Sequence, residues 1–166
     1  MPLISQPLLT TDRIKIIKKI ESKKCVFDQL TELFASNPIK QNQVNKLEIF
    51  DALIAREKLG NTYIGKGIAI PRAHLEIKQP MAALLIIKSG LDVETIDDLP
   101  IKIFLAIIVP NKQRDKFSSI IKMLNLILAE EENVKIFTQT DSKEYLANYF
   151  ESLLATQVLA SDTMEK

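Results

Sequence analysis

Residues 56–74 read Arg-Glu-Lys-Leu-Gly-Asn-Thr-Tyr-Ile-Gly-Lys-Gly-Ile-Ala-Ile-Pro-Arg-Ala-His, and they are the most informative stretch of the chain. Gly60, Gly65 and Gly67 are three of the chain's four glycines, and His74 is its only histidine. Glycine-rich backbone lets amide groups approach an anion, and histidine exchanges charge near neutral pH. The pattern predicts that any chemistry takes place in this stretch.

The composition of the 166 residues is that of an ordinary globular domain, with 46% hydrophobic and 26% charged residues. Twenty-two basic and 21 acidic residues leave a formal charge of +1, which argues against nucleic acid or an anionic membrane as a partner. Cys25 is the single cysteine, so an internal disulfide is excluded. We expect Cys25 to be a small buried hydrophobe rather than a nucleophile.

The sequence also predicts where the protein resides. Residues 1–7 lack the charged region and long apolar run of a signal peptide. The longest apolar run, residues 103–109, has seven residues, far fewer than the roughly 20 of a membrane span. We therefore expect a cytoplasmic protein without membrane insertion.

Two helices are predicted before Gly60. Isoleucine-rich residues 13–20 indicate a strand, and Ser22 can then cap a helix over residues 23–36 that Asn37-Pro38 ends. A second helix is predicted over residues 43–59, with Gly60 free to adopt a positive φ at its end. Its expected inner face consists of Leu47, Phe50, Leu53 and Ile54.

Short apolar runs beyond Gly60 predict strands at residues 67–70, 82–88 and 101–109, the last buried on both faces. Helices are predicted over residues 114–130 and 142–154, the second opened by a capping box of Asp141 and Glu144. Helices before and after a group of strands predict a single-domain α/β sandwich with both sheet faces covered. We expect the domain to span residues 1–156, followed by a loose tail at 157–166.

The string from Arg56 to Pro71 resembles the active-site stretch of the mannitol/fructose-type IIA domains of the bacterial phosphotransferase system. It is most similar to the nitrogen-regulatory branch of that family. The similarity continues through Leu75 and Glu76 and covers most of residues 10–155. The resemblance implies a central mixed β-sheet flanked by helices.

The resemblance also implies an activity. Family members take a phosphoryl group on a histidine from a histidine-phosphocarrier protein, and transport members pass it to a sugar-specific IIB domain. Nitrogen-branch members regulate partners, including potassium transport proteins and sensor kinases, by their phosphorylation state. The resemblance places the acceptor directly after Pro71, where this chain has Arg72, and a basic residue two positions later, where it has His74. A second, supporting histidine of the family aligns with Phe117.

His74 is the candidate phosphoryl acceptor. If residues 70–75 are extended, the side chains of Arg72 and His74 point to one face, with Cα atoms roughly 6.5–7 Å apart. Arg72 could clamp a phosphate with its guanidinium, but it cannot accept a phosphoryl group because it offers no lone pair. The plain alternative is a half-buried histidine without a role.

Four further residues are candidates for binding the phosphate, and each has a structural alternative. Arg56 matches a basic family position, or simply interacts with a helix dipole. Thr62 matches the family's loop threonine, or serves turn chemistry. Gly65 and Gly67 could expose amides to an anion, or mark a tight entry to a strand.

Two functions therefore stay open at this point. One is a phosphocarrier that regulates partners through a phosphohistidine, and the other is a regulatory binding module of the same fold that carries no phosphate. A hydrolase has no support, since no Ser/His/Asp or Cys/His set is present. One histidine and one cysteine argue against a metal site, and no motif indicates a cofactor or an oligomeric state.

Overall fold

The computed structural model of the chain describes residues 7–36 and 45–164. Strands within these residues form one sheet and comprise β1 (Ile14–Ile17), β2 (Tyr63–Gly65), β3 (Ile68–Ala69), β4 (Arg72–Leu75), β5 (Met81–Leu91) and β6 (Ile101–Pro110). The helices are α1 (Lys23–Ala35), α2 (Lys46–Leu59), α3 (Arg114–Ala129), α4 (Glu131–Gln139) and α5 (Lys143–Met164).

The central strand β6 organises the sheet, whose order is β1-β5-β6-β3-β2 with β4 also paired to β6. Strand β5 is antiparallel to β6, whereas β3 and β4 are both parallel to it. Ile68 lies opposite Ile103 and Arg72 lies opposite Ile107, so β3 and β4 follow one another along the same edge of β6. Pro71 separates them because it has no N–H to donate, although its carbonyl accepts from the Ile107 amide at 2.9 Å.

Helices cover both faces of this mixed sheet, which confirms the predicted α/β sandwich. Helices α3, α4 and α5 pack on one face, and α1 and α2 pack on the other. The side chains of β6 alternate between these two cores, with Ile103, Leu105 and Ile107 in the first and Phe104, Ala106 and Ile108 in the second. The prediction that residues 101–109 are buried on both faces is confirmed, with Lys102 as the exposed exception.

The first predicted helix is confirmed, and the second is confirmed with a different inner face. Ser22 caps α1, since its Oγ accepts a hydrogen bond from the Cys25 amide at 3.1 Å. Asn37 and Pro38 lie outside the described residues, as does the predicted start of the second helix at Gln43. Leu47 is 68% exposed while Ile49 is 2% exposed, so the prediction of an inward Leu47 is wrong. Ile49 and Leu53, four residues apart, anchor the buried face instead.

The structure refines two other local predictions on the N-terminal side. Strand β1 is shorter than predicted at both ends. It begins at Ile14, because Arg13 belongs to a preceding 3₁₀ turn and its buried side chain donates to the carbonyls of Ala82 and Leu8, and it ends at Ile17. The φ of Gly60 is positive, as predicted, but its values of φ 159° and ψ 135° lie far from the left-handed helical conformation of a common cap.

The C-terminal helix differs most from expectation. Ser142, not Asp141, caps α5, because the Ser142 Oγ accepts from the Tyr145 amide at 3.1 Å. Asp141 pairs instead with Lys88 at 3.0 Å. Helix α5 continues to Met164 and Val158 packs against the core, so the predicted loose tail is wrong over residues 157–164. Within the described part of the chain, no helix is long and apolar enough to cross a membrane.

Candidate functional site

The structure divides the glycine-rich stretch between two ends of β6. The Gly67 carbonyl accepts from the Lys102 amide at 2.8 Å, near the start of β6, whereas His74 lies opposite Val109, near its end. Seven residues of strand at ~3.3 Å each separate these positions by about 23 Å. Gly65 and Gly67 are therefore not brought together with His74, contrary to the idea of a single loop site.

The glycine turn is already occupied by groups of the chain itself. The Lys66 amide donates to the Asp97 carboxylate at 2.8 Å, and the Gly67 amide donates to the Tyr63 hydroxyl at 2.8 Å. The Tyr63 hydroxyl in turn donates to Asp97 at 2.6 Å, and this bond is the main reason that the pKa of Asp97 falls to about 2. The amides of Lys66 and Gly67 thus face internal acceptors, which fits the tight-turn interpretation.

Thr62 is also committed to an internal contact. It is 2% exposed, and both its amide and its hydroxyl donate to the Glu57 carboxylate, at 3.2 and 2.9 Å. Lys23 pairs with the same carboxylate at 2.8 Å. Thr62 therefore ties the end of α2 to β2, and its hydroxyl donates to Glu57 rather than to His74.

Arg56 serves the end of its own helix and lies close to Arg72. Its Nη1 donates to the Gly60 carbonyl at 2.9 Å, which satisfies a carbonyl at the C-terminus of α2. Burial is the main cause that lowers the pKa of Arg72, and the charge of Arg56 lowers it further. Arg56 and Thr62 are the two phosphate-binding candidates near β4, since the Thr62 carbonyl accepts from the Ile70 amide at 3.0 Å, two residues before Arg72.

Arg72 and His74 lie on one face of β4, as their spacing predicts. Ala73 between them is buried in the core formed by α1 and α2, so its neighbours point to the other face, toward α3. The rings of His74 and Phe117 have centroids 4.4 Å apart at an interplanar angle of 61°. Phe117 also lines a cleft with Arg72. This face is the candidate site.

The surroundings of His74 favour its neutral form. Its Nε2 is buried and has no hydrogen-bond partner among the described residues. Burial is the main cause that lowers the pKa of His74, and the positive charge of Arg114 lowers it further. A neutral imidazole keeps a lone pair that could attack phosphorus, but the Nε2 atom is closed to solvent.

Arg72 borders a cleft of about 440 Å³ between β4 and α3. Its Nε donates to the Ile70 carbonyl at 3.1 Å, which fixes the inner edge of the guanidinium. Among the residues the structure describes, no carboxylate lies within 4 Å of it. The cleft is lined by Arg72 and, along α3, by Phe117, Ser118, Ile121, Lys122 and Leu126.

Sequence reasoning missed Arg114, Lys122 and Asp97. Arg114 lies three residues before Phe117 on α3, so helical spacing could have indicated it, whereas Lys122 lies five residues after Phe117 and carried no such signal. Asp97 lies 31 residues from Lys66 and belongs to no motif, so no local signal indicated it. Cys25 is half-buried, and within residues 7–36 and 45–164 no three His, Cys, Asp or Glu side chains are grouped to hold a metal ion.

The chain is similar in sequence to known nitrogen regulatory proteins. The chain is 29% identical over 124 residues to a nitrogen regulatory protein of Pseudomonas aeruginosa, and the matched region covers 74% of this chain and 79% of that protein.

Solved structures share the fold. The nitrogen regulatory protein IIA-Ntr of Neisseria meningitidis superposes with a TM-score of 0.76 at 22% identity, covering 89% of this chain and 96% of the other. Enzyme IIAMTL of Escherichia coli, in its complex with phosphorylated enzyme IIBMTL, gives 0.68 at 21% identity, covering 90% and 99%. Residues 7–153 match the sequence profile of one family. The chain belongs to that family, the EIIA 2 proteins of the phosphoenolpyruvate-dependent sugar phosphotransferase system.

Proposed function

We propose that this chain is a regulatory protein of the nitrogen-regulatory IIA type, which acts by binding a partner protein on the face around Arg72 and takes up no phosphoryl group. The observation that carries the proposal is that Arg72 follows Pro71. The family resemblance gives this position to the acceptor histidine, and a guanidinium stays protonated and offers no lone pair for attack on phosphorus.

The surroundings of His74 support the same proposal. The ring packs on Phe117, which occupies the position of the family's supporting histidine, and its Nε2 is buried without a partner among the described residues. A phosphoryl acceptor must be open to its donor and aligned with it, because phosphoryl transfer depends on positioning and electrostatics. The buried Nε2 of His74 is neither open to a donor nor available for alignment with one.

Phosphoryl acceptance at His74 is the second candidate, and one arrangement favours it. Burial lowers the pKa of the imidazole and so favours its neutral form, and Arg72 lies on the same face of β4. Such an acceptor would take its phosphoryl group from a histidine-phosphocarrier protein and signal through its phosphorylation state. The reaction at Nε2 would first require that atom to be uncovered.

The partners of the proposed regulator are proteins. The complex of enzyme IIAMTL with phosphorylated enzyme IIBMTL supports the use of this fold for protein binding. The family resemblance suggests the histidine-phosphocarrier protein and, for the nitrogen branch, potassium transport proteins or a sensor kinase. The proposal places all of these contacts in the cytoplasm.

The experiment that tests the proposal supplies phosphoenolpyruvate, cognate enzyme I and the cognate phosphocarrier, and follows the intact mass of the chain. Wild type and His74→Ala are compared, with the phosphocarrier shown to be phosphorylated in the same mixture. An unchanged mass in both supports binding without phosphorylation. A gain of one phosphoryl group that His74→Ala loses would establish the second candidate instead.

A further inference from the structure

We infer that the cleft beside Arg72 holds the phosphoryl group of a phosphorylated partner protein, so that the chain binds the phosphorylated partner in preference to the unphosphorylated one. The inference rests on the proposed function, because it requires a site that carries no phosphoryl group of its own. It specifies the chemical state of the partner that this face recognises.

Positive charge around the cleft is not paired with carboxylates. Arg72 and Lys122 line the cleft. Arg56 at the end of α2 and Arg114 at the start of α3 lie close enough for their charges to act on Arg72 and His74, respectively. The ion pairs found among the described residues involve other lysines, namely Lys23, Lys24, Lys46 and Lys88. In the part of the chain that the structure describes, none of these four cations has a carboxylate within ion-pair distance.

Burial and neighbouring positive charges lower the pKa of two side chains, Arg72 and His74. The charge of Arg56 adds to burial in lowering the pKa of Arg72, an effect that the charge of Glu57 opposes only in part. The charge of Arg114 likewise adds to burial in lowering the pKa of His74. Like charges on a partly desolvated face repel one another. A bound anion would relieve the repulsion, and a dianion would relieve it more than a single carboxylate.

The guanidinium of Arg72 is oriented to receive such an anion. Its Nε is fixed on the Ile70 carbonyl at 3.1 Å, which leaves the outer Nη donors for another acceptor. Two parallel N–H donors match the oxygens of a phosphoryl group in a bidentate contact. Arg56 lacks this freedom at Nη1, which donates to Gly60, so Arg72 is the clamp and Arg56 adds charge.

The floor of the cleft indicates that the phosphoryl group arrives on a protein. Phe117 and Ile121 form apolar surface beside Arg72, and Leu126 at the far end is 50% exposed. Free phosphate would leave this apolar surface in water, whereas a partner would cover it while its phosphoryl group reaches Arg72. An apolar floor beside a charged clamp is the usual composition of a protein-binding anchor site.

Calorimetric titration of the full chain with the phosphocarrier protein, in phosphorylated and unphosphorylated forms at one salt concentration, tests the inference. We expect the phosphorylated form to bind wild type at least about tenfold more tightly, as charge-assisted bidentate contacts allow. Arg72→Ala is expected to bring the ratio close to one. Lys24→Ala removes the same charge from α1, on the other face of the sheet, and is expected to leave the ratio unchanged.

Equal affinity of wild type for the two forms, or no binding of either, would overturn the inference. So would a preference that Arg72→Ala and the more conservative Arg72→Gln both retain. Inorganic phosphate is titrated separately, and binding as tight as that of the phosphorylated protein would assign the site to free phosphate. Intact mass after titration separates the two proposals, since a phosphoryl group gained by the chain contradicts the proposed function, whereas equal affinities with unchanged mass contradict this inference only.

Discussion

The imidazole of His74 packs edge to face on the ring of Phe117, with centroids 4.4 Å apart. By family resemblance, position 117 belongs to a histidine that supports the acceptor. In this chain the pair is an aromatic contact that desolvates the imidazole, where the family resemblance implies a second histidine that supports the acceptor. His74 is thus close to the family's reactive position, packs on Phe117 and has a buried Nε2.

Phe117→Ala is expected to raise the pKa of His74 toward its ordinary value, because burial is the main cause of its lowered pKa. The chain has a single histidine, so a pH titration of its imidazole NMR signals reads His74 directly. Leu126→Ala, a truncation of an exposed side chain on the same helix, is the control and should leave the pKa unchanged. A pKa that does not rise in Phe117→Ala would show that Phe117 does not desolvate the ring.

His74 should also make the folding stability depend on pH. Its folded pKa lies below the ordinary value near 6.5, so below that pH the unfolded chain binds a proton that the folded chain does not. Stability therefore falls as the pH is lowered from about 7 toward the pKa of His74 in the folded chain. Below that pKa the contribution of His74 to stability no longer changes with pH. Urea unfolding should show a smaller loss of stability from about pH 7.5 to about pH 5 in His74→Gln than in wild type. An equal or larger loss in the variant would contradict this assignment.

Tyr63→Phe is expected to raise the pKa of Asp97 from about 2 toward 3.8, since the Tyr63 hydroxyl is the main cause that lowers it. The contribution of Asp97 to stability is present above 3.8 and is lost as the pH falls toward 2. A carboxyl carbon NMR titration measures the change. Thr95→Val removes a longer hydrogen bond of 3.3 Å to the same carboxylate, and it should shift the pKa less. A larger shift in Thr95→Val than in Tyr63→Phe would reverse the assigned order of causes.

Gly67→Ala is expected to destabilise the fold by ~1–3 kcal/mol. Gly67 has a φ of 80°, and a Cβ at this position would lie 2.8 Å from the Pro100 carbonyl oxygen. Gly65→Ala is the matched control, because Gly65 also has a positive φ, of 99°, but the nearest atom to a Cβ there would be the Asp97 carboxylate at 3.8 Å. Thermal or urea unfolding of both variants should show the larger loss in Gly67→Ala. Similar losses in the two would show that the contact with Pro100 is not limiting.

The spacing of apolar residues correctly predicted one strand and one helix of this fold. The run from Ile101 to Val109 and helix α1 with its Ser22 cap follow from neighbouring residues alone. The same reasoning chose the wrong inner face for α2, because Leu47 and Ile49 both fit a helical stripe and only the packing against other elements distinguishes them. The continuation of α5 depends likewise on the packing of Val158 against the core.

Only the parts of the candidate site that depend on neighbouring residues or on the family resemblance were predicted. Strand periodicity placed Arg72 and His74 on one face, and the resemblance aligned Phe117 with a site position that the structure brings against His74. The separation of Gly67 from His74 depends on β3 and β4 pairing in succession with the distant β6. The hydrogen bond from the Lys66 amide to Asp97 is likewise a non-local contact, which residue spacing does not predict.

The central claim is that the chain works without taking up a phosphoryl group, and one comparison tests it most directly. Wild type and the exchanged variant Arg72→His/His74→Arg, which restores the family order after Pro71, are incubated with phosphoenolpyruvate, enzyme I and the phosphocarrier, and their intact masses are followed. We expect the exchanged variant to gain one phosphoryl group while wild type keeps its mass over the same time. A phosphoryl group on wild type would contradict the account.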